Sequence, residues 1–335
     1  MKTPSIKSAL TLLIICLTIK SSGLGITLNQ DTSRLNELIL YTVPSYIKLD
    51  WSSPSSLMKK SIDSFILSRF SKKSYSIGHM IIVLNTPFAD SSVKMAMRST
   101  SNREKIDLFI KDGVGLGILG APMTGRLETD REIEDFLDFY QKREKRRISF
   151  IRYILNDIST KRVLKFMSIY SGKEDPDYKP YKLYGGDYWP RFENEGAGCS
   201  AFAIATLDVA GIPVDNSDWY VSVNIPQNIV GGIFNNGKKV RGVDIEYARR
   251  WHSGDGIKNV DYFPYKVYDP SKLYDWILKI FSKPKDGYKP YNIGRIKGIT
   301  CDVRDIVPDN EEPVIIKRKE PSVFVNKNII VPLRP

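Results

Sequence analysis

The stretch Glu193-Asn194-Glu195-Gly196-Ala197-Gly198-Cys199-Ser200-Ala201-Phe202 decides how this chain is read. A glycine-rich turn runs into an apolar segment, and the cysteine stands where a helix should begin. Gly211 and Pro213 close that segment, so a helix is predicted from Cys199 to about Val209. The first turn of a helix leaves N–H groups unpaired and carries positive partial charge. Both favour thiolate over thiol, and a thiolate is a nucleophile. The backbone N–H groups of Cys199 and Ser200 are then candidates to hold an oxyanion, with Asn194 a candidate side-chain donor from the preceding loop.

A thiol nucleophile needs a base, and the sequence contains two histidines. His79 opens the apolar run Ser76-Ile77-Gly78-His79-Met80-Ile81-Ile82-Val83-Leu84-Asn85, whose length and β-branched content predict a buried strand. His252 lies in Arg249-Arg250-Trp251-His252-Ser253-Gly254-Asp255-Gly256, a polar turn where nearby arginines disfavour an imidazolium. His79 is the favoured base, because a strand in a core holds an imidazole rigidly. His252 is the alternative. Read without chemistry, the first is a satisfied core histidine and the second a surface loop residue.

Working outward, a helix is predicted over Leu57 to Phe70 and a second strand over Ser92 to Ser99. Glu128 to Lys145 is acidic early and basic late, with Ile133, Phe136, Leu137 and Tyr140 at helical spacing, and predicts a helix. Ile148 to Leu155 reads as a strand, followed by a helix capped by Ser159 or Thr160 and running to about Tyr170. The glycine-rich run 113–125 lacks a phosphate-loop ending and reads as strand and turn. Asn235-Asn236-Gly237 is a hairpin signal, and Asp269-Pro270-Ser271 opens a helix to Phe281.

The chain has 335 residues, 26% of them charged, and a formal net charge of +12. Lys2 and Lys7, the apolar run Ala9 to Ile19 and the small residues Ser21, Ser22, Gly23 and Gly25 read as a signal peptide over residues 1–25. Its removal takes away Lys2, Lys7 and Lys20 and no acid, which lowers the net charge from +12 to +9. An exported basic protein suits an anionic cell-wall or envelope surface, and the same charge is also what a solvated lysine-rich surface gives. No zinc spacing or ribonucleoprotein motif is present, so no specific nucleic acid, metal or cofactor is expected. Two cysteines remain after residue 25, Cys199 and Cys301. In an oxidising compartment they read alternatively as one disulfide, which would silence the nucleophile.

Gly198-Cys199-Ser200-Ala201-Phe202, with its helix ending at Gly211-Ile212-Pro213, resembles the nucleophile helix of NlpC-type papain-like cysteine hydrolases. Gly78-His79-Met80-Ile81-Ile82-Val83 resembles their histidine strand. Here the histidine precedes the cysteine, as in the circularly permuted branch that includes lecithin–retinol acyltransferase-like proteins. The resemblance implies an α+β fold: a permuted papain-like core over residues 61–215, with an antiparallel sheet packed on the cysteine-bearing helix. A lead-in over 26–60 precedes it, and a β-rich C-terminal extension or second domain over 216–335 follows. It also implies a third polar group on the strand beside the histidine, which falls near Ser99 to Ser101, so Ser99 and Ser101 are the candidates. The expected activity is that of an exported thiol hydrolase (a peptidase or amidase) or acyltransferase acting on a peptide, protein or lipid. The alternative is a non-catalytic exported binding or envelope protein with a degenerate site or a Cys199–Cys301 disulfide.

Overall fold

Two short apolar segments pack the sheet, and their alternation explains its two faces. In Glu37–Val43, Leu38 and Leu40 point to one side and Ile39, Tyr41 and Val43 to the other. In His79–Asn85, Met80, Ile82 and Leu84 join the first side and Ile81 and Val83 the second. A strand buried on both faces reads as a continuous apolar run, which is why the second segment lacks polar alternation.

The computed structural model describes residues 35–70, 75–142, 147–285, 287–320 and 323–326. The signal segment expected over residues 1–25 lies outside them. In chain order the strands are β1 (Glu37–Val43), β2 (His79–Asn85), β3 (Val93–Met95), β4 (Met97–Ser99), β5 (Met123–Leu127), β6 (Ser149–Ile154), β7 (Leu183–Tyr184), β8 (Tyr220–Pro226), β9 (Tyr262–Tyr268), β10 (Tyr288–Ile293) and β11 (Ile296–Asp302). The helices are α1 (Pro54–Ser68), α2 (Asn102–Ile110), α3 (Asp130–Gln141), α4 (Asp157–Tyr170), α5 (Cys199–Val209), α6 (Gly242–Glu246), α7 (Pro270–Ser282) and α8 (Val323–Asn326). The fold is α+β.

A six-stranded sheet runs β10-β11-β6-β1-β2-β3, and a small one runs β4-β5-β7. In the large sheet only β11 and β6 pair in parallel. Helices α4, α5 and α7 cover one face through Phe166, Phe202 and Ile277. The amphipathic α3 covers the other through Ile133, Phe136, Leu137 and Tyr140. Helix α5 is buried on nearly all sides and packs across β2, which brings the cysteine helix to the histidine strand. It ends in a Schellman motif: Ile212 N–H bonds the Leu207 carbonyl, and Gly211, at φ +83°, donates to that of Asp208.

Several expectations change. The lead-in segment holds β1, which lies between β2 and β6 near the middle of the sheet, so the core does not start at residue 61. The stretch from Ser92 to Ser99 is not one strand: it breaks at Ala96, with β3 in the large sheet and β4 in the small one. Asn156, not Ser159 or Thr160, caps α4, its side chain accepting from Ser159 N–H at 2.8 Å. Asn235-Asn236-Gly237 closes a 3-10 turn over Gly232–Asn235 and joins no hairpin strands. Of the two readings of 216–335, its described residues follow the extension: β10 and β11 extend the large sheet beside β6, and α7 packs on β1, β6 and β11.

Candidate functional site

Cys199 is the first residue of α5, and Gly198, in extended conformation, precedes it with no side-chain cap. The first-turn amides are therefore left without a capping side chain. His79 is the first residue of β2, paired with Val43. Gly78 before it has φ +85° and sits against Pro270 and the Val43 carbonyl, a close approach that a glycine permits. Because α5 crosses β2, the thiol lands beside the imidazole.

The polar group that faces His79 is Glu128. Its Oε2 lies 3.2 Å from His79 Nε2, and both side chains are almost fully buried, at 2% and 3% exposure. Glu128 follows β5 immediately and precedes Thr129, whose capping box with Glu132 starts α3. Its amide donates to the Ala96 carbonyl at 2.9 Å, at the break between β3 and β4. Its other oxygen accepts from Tyr75 Oη at 3.3 Å and from Arg98 Nη1 at 3.5 Å. The Tyr75 ring stacks on His79 with centroids 4.0 Å apart and fixes the imidazole plane.

Cys199 lies close enough to His79 for each group to shift the titration of the other. Burial opposes charge on His79, but Glu128 and Cys199 outweigh it and raise the imidazole to about 9. Burial likewise pushes the Cys199 thiol up, yet the His79 hydrogen bond and charge, with the Met80 amide and Tyr184, hold it below its ordinary value. Burial would also raise Glu128, but the His79 charge and hydrogen bond, with Arg98 and Tyr75, keep it below the usual carboxylate range. These three shifts point the same way, each favouring the charged form of its group.

Tyr184 closes the site. Its hydroxyl is 4.0 Å from Cys199 Sγ and also faces the Cys199 amide. Burial and the nearby sulfur charge hold the phenol far above its ordinary value, so it stays protonated and can donate. The outer layer is cationic. Lys105 Nζ lies 5.8 Å from the Tyr184 ring centroid, and Arg98, half exposed, reaches Glu128.

The other expected site residues fall elsewhere. Ser99 pairs with Gly125 in the small sheet, and Ser101 caps α2, accepting from Arg103 N–H at 3.0 Å. Neither orients His79; the strand that was expected to carry the third group hands that place to the end of its neighbour, β5. Ser200 Oγ lies 4.0 Å from Cys199 Sγ. Asn194 is exposed in a left-handed turn whose amide donates to Tyr178 Oη, and it is not among the groups seen around the buried thiol. His252 accepts from Gly254 N–H at 3.1 Å and stacks on Tyr262, a structural role in a turn. Cys199 and Cys301 are both free, which removes the disulfide alternative.

The loop before Cys199 is tied down by a C-terminal strap. Phe192 bridges to Ile316, whose amide donates to the Arg191 carbonyl at 2.7 Å. Arg318 grips buried Glu195 with two bonds of 2.6 and 2.7 Å, and Glu195 in turn accepts from Trp189 N–H. Removing one partner of such a buried pair costs about 3–5 kcal/mol. Arg318→Ala is therefore expected to lower the thermal midpoint by several degrees. A midpoint equal to that of the wild type in differential scanning calorimetry would reject this role.

Among the described residues, no group of three or more His, Cys, Asp or Glu side chains is arranged to hold a metal ion, and no helix is long and apolar enough to cross a membrane. Comparison with protein-family models, curated proteins and solved structures gave no match.

Proposed function

We propose that this chain is an acyl-transferring thiol enzyme, a hydrolase or acyltransferase with a permuted, papain-like arrangement of its site. The single observation that carries this reading is the buried His79–Glu128 contact of 3.2 Å beside Cys199 at a helix start. A structural core does not need an ionisable carboxylate, imidazole and thiol together. A nucleophile, a base and an orienting acid do.

In the proposed reaction the Cys199 thiolate attacks an amide or ester carbonyl carbon, forming a C–S bond while the carbonyl oxygen takes the electron pair. The amide at the start of α5 and the Tyr184 hydroxyl stabilise that oxyanion. The His79 imidazolium gives its proton to the leaving nitrogen or oxygen as that bond breaks. Neutral His79 then takes a proton from water, or from another acceptor, which attacks the thioester and regenerates the thiolate. Glu128 stays ionised throughout and holds the imidazole in orientation. The exported setting and an anionic envelope surface belong to the same proposal, supported by residues 1–25 and the net charge of +9 that remains without them.

The test is to trap the acyl-enzyme. Incubation with a panel of 4-nitrophenyl esters, acid quenching and peptide mass mapping is expected to place the acyl mass on the peptide containing Cys199. The other buried thiol, Cys301, is the internal control: burial pushes it up, so it stays protonated. Acylation of neither cysteine, or of both to the same extent, would defeat the proposal.

A further inference from the structure

The cations around the thiol have no part in the bond-making steps above. Lys105 stands in the second turn of α2, half-buried against the face of Tyr184, the same tyrosine that touches Cys199 Sγ. No ion pair with a carboxylate is seen for it among the described residues. The neighbouring acid, Glu104, is instead committed to Thr124, accepting from its amide at 2.9 and 3.0 Å. Arg98 stands on the same side of the site, with half of its side chain in solvent and one nitrogen on Glu128. Burying an ammonium without a counter-ion is costly, so such a group is poised for an anion supplied from outside.

We propose that Lys105, assisted by Arg98, is a substrate-anchoring residue that selects acyl donors carrying a carboxylate or phosphate close to the scissile bond. The proposal rests on the reading of Cys199 as a nucleophile. The distance scale fits: the ammonium is 5.8 Å from the Tyr184 ring centroid and the tyrosine hydroxyl 4.0 Å from sulfur. An anionic group a few bonds from the attacked carbonyl would reach it. Lys105 senses this environment already. Burial lowers its ammonium from the ordinary value, while the Cys199 charge works in the opposite direction. The site then reads a substrate in two parts, with the carbonyl on the α5 amide and Tyr184, and the anion on α2 and β4.

The experiment compares alkylation of Cys199 by iodoacetate and by iodoacetamide, which differ in charge and little in size. A fixed cation beside the thiol accelerates the anionic reagent selectively. In the full-length protein, Lys105→Met is expected to lower the iodoacetate-to-iodoacetamide rate ratio by about tenfold, and Lys105→Arg to preserve it. An unchanged ratio in Lys105→Met overturns the anchoring proposal and leaves the nucleophile reading standing. Failure of both reagents to modify Cys199 in the native wild-type protein sinks both. Glutarate and inorganic phosphate are added as protectants against iodoacetamide. Protection by glutarate identifies a carboxylate substrate and protection by phosphate a phosphorylated one, while protection by neither counts against the anion site.

Discussion

His79→Ala is expected to reduce acylation of Cys199 by about 10²–10⁴-fold, and Cys199→Ala to abolish it. Two effects combine in the histidine variant. The general acid and base is lost, and so is the largest influence that opposes burial of the thiolate. An ordinary cysteine has a pKa of about 8.5 and is almost wholly protonated at pH 6. Cys199, held below its ordinary value, keeps a larger thiolate fraction there. Iodoacetamide labelling at pH 6 should therefore be fast in the wild type and at least about tenfold slower in His79→Ala. The wild-type acylation rate should rise through the depressed thiol pKa and fall again as His79 loses its proton at about 9. A profile that keeps rising past pH 10, as for an unassisted thiol, would contradict the ion-pair description.

Glu128→Ala is the second large effect, and it acts on stability as well as on rate. Deleting one member of a buried ion pair leaves the other charge without compensation and costs about 3–5 kcal/mol. The sign of its pH dependence follows from the two shifts. His79 is raised on folding, so its contribution is complete below the unfolded value of about 6.5 and disappears as pH rises through about 9. Glu128 is lowered, so its contribution is complete above about 4.3 and disappears as pH falls through its depressed folded value. Both are present between about pH 4.3 and 6.5. Urea denaturation should show the largest gap between wild type and Glu128→Ala near pH 6, and a smaller gap at pH 9.5. A gap independent of pH would mean that the pair is not ionised. Glu128→Gln keeps the shape and some hydrogen bonding but not the charge. Its alkaline activity limb should move down from about 9, because the charge of Glu128, the largest influence that opposes burial of the imidazolium, is removed.

The site was legible in part. Cys199 and His79 carry local signals, a glycine-flanked helix start and a glycine at the head of an apolar strand. Glu128 carries none. In the sequence it is one more acid at the entrance of an acidic helix turn, next to Glu132, whose capping box is local and readable. Only the pairing of β5 with β4, and the Glu128 amide on Ala96, bring it across to His79. Ser99 and Ser101 failed as third-group candidates because the chain breaks at Ala96 and passes from one sheet to the other. Tyr184 and Lys105 were equally hidden, one among many tyrosines of a loop and the other on a short, mostly exposed helix.

Features that depend on neighbours along the chain are written in the local sequence. Apolar runs, caps and glycines placed β2, α3, α5 and α7 to within a few residues, and α5 at its full extent. The position of Cys199 at a helix start was set the same way, since a helix start is a local object. Tertiary structure decided what depends on partners distant in sequence. It put β1 near the middle of the sheet, drew β10 and β11 from the far end of the chain to its edge, left both cysteines free and completed the site with Glu128. The physical reason is range. Backbone conformation is chosen by side chains a few residues away. The charge state of a buried thiol is chosen by whatever the folded chain brings within a few ångströms of it.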